Sequence, residues 1–218
     1  MIRLLTGFWQ RSDGDPVRVN YNFAKTVVSQ AVPTLLNALT KQEDYDDDDD
    51  YNIAKAAYAC LGLYALAVED QIIPPVLEFV ERNLRNEDWH HREAAVAAFG
   101  AILDGPDADT LISLVKQALP VLIGMMVDQS THVQESVAFA LSRICEYTPQ
   151  AIEFDTMLPQ LIQALLEGLK GTPKTAQSSC WGWMQVHGCI PVDLDPSKNP
   201  LVVHFEAIAQ QLFAAADR

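Results

Sequence analysis

Basic residues are scarce in this sequence: 15 Lys and Arg stand against 29 Asp and Glu, a formal net charge of −14 over 218 residues. Binding a phosphate backbone needs a cationic surface to displace counterions, so the balance excludes generic nucleic-acid binding and suits a basic protein partner. Cysteines are few. Cys60, Cys145, Cys180 and Cys189 sit in apolar, helical-looking surroundings, without the dense framework of small secreted domains. Cys180, His187 and Cys189 match no zinc spacing and lack a fourth ligand, so no metal is expected. Long apolar runs are missing as well. The uncharged stretch Gln117–Val127 is too short to span a bilayer, and the first fifteen residues lack the apolar core and cleavage site of a signal peptide. These absences read as a soluble intracellular protein that neither inserts in membranes nor binds nucleic acid.

Catalytic signatures are also lacking. The five histidines, His90, His91, His132, His187 and His204, fall at expected turns and loops and never at the HExxH spacing of a zinc protease. No phosphate-cradling glycine loop, nucleophile elbow or deaminase motif occurs, so neither an enzyme nor a cofactor is expected.

What the sequence has is a repeat. Strand signals are rare and helical periodicity is pervasive, while 49% hydrophobic residues supply material for a core. A phrase of proline, any residue and two aliphatics recurs at Pro33-Thr-Leu35-Leu36, Pro74-Pro-Val76-Leu77, Pro120-Val-Leu122-Ile123 and Pro159-Gln-Leu161-Ile162, at intervals of 41, 46 and 39 residues. Another apolar residue follows each proline by six positions: Leu39, Val80, Met126 and Leu165. Proline is tolerated in the first turn of a helix, so the phrase predicts the opening of one helix per unit. A second helix is expected after each, over 54–64, 92–102, 134–144 and 176–186, where Leu61, Phe99, Leu141 and Trp183 are equivalent bulky residues among small ones. Small residues let helices approach while the bulky one fills the gap, which suits stacked hairpins. Units of about 40 residues with two helices match the HEAT/armadillo period. The expected fold is all-α, a right-handed α-solenoid of HEAT repeats.

The expected units are residues 1–22 (a partial helix and linker), 23–68, 69–108, 109–150, 151–190 and 191–218 (a linker and the first helix of another unit). Asp104-Gly-Pro-Asp107 reads as a turn between units and Leu169–Pro173 as a turn within one. Met1–Gln10 reads as the tail of a helix and His204–Arg218 as an opening helix, each without its mate. Neither resembles a polar capping repeat, so the chain reads as a piece of a longer array.

Two features point to function. Glu43, Asp44 and Asp46, Asp47, Asp48, Asp49 and Asp50 place seven carboxylates within eight residues, between the helices of the first full unit. Such a run is self-repelling and extended. It could be a solvated loop, with Asp50 favouring the following helix N-terminus, or an electrostatic clamp for a basic partner; for calcium it lacks the EF-hand glycine and ligand spacing. The second feature is a helix face. With Phe99 and its equivalents in the core, another face at i, i+4 spacing carries Lys55, Ala59 and Leu63; Glu93, Ala97 and Ala101; Glu135, Phe139 and Arg143; and Gln177, Trp181 and Gln185. Phe139 and Trp181 either pack between repeats or, paired with acids such as Glu93 and Glu135, anchor a basic amphipathic helix. Trp9 and Trp89 read as structural.

Several stretches together resemble the importin-beta family of nuclear import karyopherins. Lys41-Gln42 with the acidic run, Tyr51-Asn52 and AKAAYACLGL is similar to the family's acidic-loop repeat. Ile72–Asp107, Gln117–Glu146, Leu158–Leu169, Ser178–Trp181 and His204–Arg218 continue the likeness in order, over about three-quarters of the chain. The resemblance implies a transport receptor for the basic importin-beta-binding helix of importin-alpha, released by Ran-GTP and carried past FG-repeat nucleoporins, shuttling between cytoplasm and nucleus through the pore. By the same resemblance, Asp44 and Asp46–Asp50 clamp the basic helix and contact Ran, and Trp181 is a concave-face tryptophan. Tyr51 and Phe139 stand where the family often has tryptophan, and residues 10–22 and 185–200 depart from its pattern. A structural HEAT scaffold in a stable assembly is the competing expectation.

Overall fold

The computed structural model describes residues 22–42, 52–191 and 193–216, and contains no β-strand among them. The acidic residues 43–50, Tyr51 and the expected helix tail at Met1–Gln10 lie outside the described residues. Among the described residues ten α-helices follow one another. A short α1 (Phe23–Thr26) leads into α2 (Val28–Leu39), then come α3 (Ile53–Val68), α4 (Ile73–Asn83), α5 (Trp89–Ala101) and α6 (Ala108–Met125). The chain continues through α7 (Thr131–Tyr147), α8 (Leu158–Gly168), α9 (Pro173–Val186) and α10 (Pro200–Ala216). Helices α2 and α3, α4 and α5, α6 and α7, and α8 and α9 form hairpins, and the second helices α3, α5, α7 and α9 stack in a row. This is an α-solenoid.

Its core follows the repeat register. Leu61, Phe99 and Leu141 are buried on three successive second helices, opposed by Leu36, Leu39, Val76, Leu119, Leu122, Leu161 and Leu165 from the first helices. Each large aliphatic side chain buried there contributes about 1.5–3 kcal/mol relative to exposure. The fourth equivalent, Trp183, packs on the core but is only partly buried, and its indole N–H has no partner. The expectation of a fully buried tryptophan is corrected accordingly.

Small residues set how closely the second helices approach. A Cβ on Gly182 would lie 2.9 Å from a Leu165 methyl and 3.6 Å from the Ser142 Cα, so α9 rides directly on α7 and α8. One hairpin earlier, a Cβ on Gly100 would touch that of Ala140 at 3.5 Å.

Polar residues define the turns. Asn52 accepts the Lys55 N–H at 2.9 Å at the start of α3, Asp88 accepts from His90 at 3.0 Å before α5, and Thr172 accepts from Thr175 at 3.2 Å before α9. Asp107 caps α6 and donates its own N–H to Asp70 at 2.7 Å, so the 104–107 turn ties the start of α6, in the next unit, to the 3₁₀ turn that leads into α4. Arg92 makes the strongest such tie. Its Nε and Nη2 grip both oxygens of Asp128 at 2.9 and 2.7 Å, and its Nη1 donates to the carbonyls of Asn86 and Glu87. Burial opposes ionisation of Asp128, but the Arg92 hydrogen bonds, the Ser130 N–H and the Arg92 charge outweigh it and hold the carboxyl below its usual range.

Three expectations need correction. The proline phrase opens a helix only at Pro74 and Pro159; Pro33 lies inside α2 and Pro120 deep inside α6. Both inner prolines are exposed, and the carbonyls they leave without a donor belong to exposed Ser29 and Lys116, where water can serve them. The last helix begins at Pro200, so His204 is helical, while His90, His91 and His132 lie in first turns of α5 and α7. Finally, Ile53–Asn83 and Ala108–Met125 are helical stretches long and apolar enough to cross a bilayer by length and composition. The first is broken by the 3₁₀ turn Glu69–Ile72, with two acids, and both are built into the hairpin stack.

Candidate partner-binding groove

Along the row of second helices runs a groove with a cavity of about 500 Å³, lined by residues of α3, α5, α7 and α9. Helical geometry puts them there: the i, i+4 face that avoids the core on each helix opens on the same side of the stack. Glu93 comes from α5, Glu135 and Phe139 from α7, and Lys55 and Tyr58 from α3. Phe139 keeps 41% of its surface exposed and Trp181 46%, a large exposure for aromatics on helices so tightly packed. The expectation that they face outward holds at the level of exposure. It fails for Ala101, which is buried near Gly62, because the end of α5 closes against α3.

Glu93 is the most constrained group of the groove. Its two carboxylate oxygens accept from the Ser136 hydroxyl and the Gln42 amide, and that amide also donates to the His90 carbonyl at 2.9 Å. Burial raises the Glu93 carboxyl above its usual range; the bonds from Ser136 and Gln42 and the nearby His132 and His90 pull the other way without cancelling it. Glu135 accepts the Thr172 hydroxyl at 2.6 Å, a link from α7 to the turn before α9. Trp181 points its indole N–H toward Glu146 at 3.4 Å.

The aromatic residues form two clusters. The Trp89 ring stacks on His132 with centroids 4.4 Å apart and on His90 at 3.9 Å. Tyr58 meets Phe139 edge-on at 5.9 Å, and Arg143 lies 4.6 Å over the Tyr147 ring while donating to the Gly100 carbonyl at 3.2 Å. Burial raises the Tyr58 hydroxyl above its usual range, against the opposing Arg143 charge. Of the twelve residues singled out in the sequence, Glu93, Glu135 and Phe139 line the cavity together, Trp181 is exposed one helix further along, and residues 43–51 lie outside the description. Sequence reasoning missed Gln42, Tyr58, Trp89 and Ser136. Stepping one turn back from Glu93 reaches Trp89, and three residues on from Lys55 reaches Tyr58, so the same face carried the signal.

A stack of two-helix units with a groove along one helix row defines a HEAT-repeat solenoid, and a HEAT-like repeat family matches residues 89–144. Importin subunit beta-1 of Schizosaccharomyces pombe is 42% identical over 204 residues, 93% of this chain and 24% of that protein. The Saccharomyces cerevisiae importin subunit beta-1 is 39% identical over 199 residues, covering 91% of this chain and 23% of its own length. A crystal structure of importin beta superposes with a TM-score of 0.86 at 44% identity, over all of this chain and 25% of that one. Kap95p captured with RanGDP gives a TM-score of 0.84 at 38% identity, over 94% of this chain and 23% of its own. Across nearly all of its length this chain is therefore a relative of importin subunit beta-1. It spans about a quarter of the length of these relatives.

Proposed function

We infer that this chain acts as part of a nuclear import receptor, shuttling between cytoplasm and nucleus, whose groove binds the basic importin-beta-binding helix of importin-alpha. The observation that carries the reading is the exposure of Phe139 and Trp181 on successive second helices, with Phe139 lining one cavity together with Glu93 and Glu135, in a chain of net charge −14. A cationic amphipathic helix finds there aromatic faces for its basic side chains and carboxylates to pair with them. The acidic residues 43–50, with Tyr51, add a clamp that also contacts Ran-GTP, and the units 23–68, 69–108, 109–150 and 151–190 are its building blocks. Related Kap95p structures with RanGDP and with Nup1 support Ran and FG-repeat nucleoporins as further partners. The work is done by non-covalent binding alone.

Titrating the chain with an importin-alpha basic-helix peptide at several salt concentrations tests this. Binding should weaken steeply with salt, and replacing Asp46–Asp50 by Asn should flatten that slope while leaving the melting temperature nearly unchanged. Exposed pairs contribute about 0–1 kcal/mol each, so the effect belongs to the whole run. A structural scaffold would ignore the peptide.

A further inference from the structure

Two of the four cysteines meet at the step between neighbouring units. Cys145 lies in the last turn of α7, 2% exposed, and Cys189 closes the 3₁₀ turn His187–Cys189 that follows α9, 8% exposed. Both belong to the same core cluster, and the Cys145 thiol donates a hydrogen bond to the Cys189 sulfur. The 187–189 turn packs against α7 and against the 3₁₀ turn Pro149–Ala151, where a Cβ on Gly188 would lie 3.8 Å from that of Pro149. A disulfide needs Cα atoms within about 7 Å and side chains that converge, and two thiols in hydrogen-bond reach on packed elements suit it.

The two sulfurs are not equivalent. The bond from Cys145 holds the Cys189 thiol below its usual range against the opposing effect of burial, while the same bond, with burial, holds Cys145 well above its own. Cys189 is thus the nucleophile of the pair and Cys145 the thiol that resolves it. Access has the same polarity. His187, Gly188 and Pro191 around Cys189 are exposed, and a three-residue turn opens locally more easily than a long packed helix. Cys180, half-buried on α9, is raised by burial alone.

We propose that Cys145 and Cys189 form a reversible redox staple, closed by hydrogen peroxide, that locks the hairpin of α6 and α7 to that of α8 and α9. The Cys189 thiolate attacks one peroxide oxygen, the O–O bond breaks, and hydroxide leaves a sulfenic acid behind. The Cys145 thiol gives up its proton and attacks the Cys189 sulfur, expelling the sulfenic oxygen as water. Two thiols and one peroxide thus become one disulfide and two waters, the sulfurs oxidised and the peroxide reduced. A thiol reductant reopens the bond by exchange. Glu146, next to Cys145, receives the Trp181 indole N–H at 3.4 Å, so the closed staple also stiffens the step on which Trp181 stands.

The test treats the folded 218-residue chain with hydrogen peroxide, maps disulfides by mass spectrometry, and records thermal melts before and after dithiothreitol. A Cys145–Cys189 link should form ahead of any link through Cys60 or Cys180. The melting temperature should rise by about 5–15 °C and return on reduction, because the bond closes a long loop in the unfolded chain. In Cys145→Ser, dimedone should label Cys189 as a sulfenic acid; in Cys189→Ser, Cys145 should stay a free thiol. The wild-type map and melts carry the test if either variant misfolds. The staple is refuted by a link through Cys60 or Cys180 that forms first, by a Cys145–Cys189 link that forms only in denaturant or not at all, or by a melting temperature that does not rise. Peptide binding plays no part in these readouts, so the groove reading stands or falls separately.

Discussion

Replacing Asp128 by Ala removes the partner of a guanidinium that is itself only 15% exposed, with Asp128 at 12%. Two charge-assisted bonds at 2.9 and 2.7 Å vanish, as does the acceptor for the Ser130 N–H at 2.8 Å, while Arg92 keeps only the carbonyls of Asn86 and Glu87. Breaking a fully buried pair on one side costs about 3–5 kcal/mol; the residual solvent contact here lowers the expectation to about 2–4 kcal/mol. For a chain of this size that corresponds to a melting temperature lower by about 6–12 °C. Hydrogen exchange should also speed up at the starts of α5 and α7, the two elements that the pair joins. The control is Glu78→Ala, which breaks an i, i+4 pair with Arg82 whose side chains are 74–75% exposed, and should change little. The pH dependence has a definite sign. A carboxyl held below its usual range contributes stability that is present above the unfolded value, about 3.9, and is lost as pH falls through the lower folded one. The advantage of wild type over D128A should therefore persist through neutral pH and fade only in strong acid. A penalty below about 1 kcal/mol, or one equal to that of Glu78→Ala, would refute the idea that this pair clamps neighbouring units.

Trp181 and Trp183 lie about 200° apart around α9, so their substitutions should separate. Trp181→Ala should leave the melting temperature nearly unchanged and cost about 1–2 kcal/mol of peptide binding, whereas Trp183→Ala should cost about 2–4 kcal/mol of stability, read by thermal melts and titration. Trp183→Phe should be far milder than Trp183→Ala, since the indole N–H it removes has no acceptor. Glu93→Gln should raise the melting temperature at pH 7 relative to wild type and lose that advantage near pH 4. The Glu93 carboxyl is raised by burial, so wild-type stability falls as pH climbs from the ordinary glutamate range through the folded value. Gly105→Ala should destabilise by about 1–3 kcal/mol in denaturant titrations, because its Cβ would come within 2.6 Å of the Ala65 backbone.

The repeat was legible because HEAT-type stacking imposes the same packing on each unit. Leu61, Phe99 and Leu141 occupy equivalent places, and a sequence register that aligns them also aligns their helices. Helix starts were less legible. Proline carries a cost inside a helix only through the bond and space it removes, and at Pro33 and Pro120 that cost falls on the solvent side. The phrase therefore marks a fixed place in the unit rather than a helix boundary. Trp183 strays for a related reason. Its three equivalents are leucine or phenylalanine, and the larger indole in the same register packs on the core but stays partly exposed.

For the groove, the residues that could be read in advance were those whose chemistry contradicts their surroundings. Phe139 and Trp181 stood out because a large aromatic is unusual on a non-core face, and both are exposed. Gln42 gave no such signal. It lies beside the acidic run, outside any helical period, and reaches Glu93 only because the hairpins of two units stack, which joins residues 51 positions apart. Glu93 was legible only as one acid of the face that could pair with a basic helix. What sets it apart is three-dimensional: Ser136 comes from the next unit and Gln42 from the previous one, so the carboxylate is held by both neighbours. A repeat protein hides its sites in this way. Periodicity exposes what each unit shares, whereas the groove acts through what adjacent units lend one another, and only the stacked structure brings those loans together.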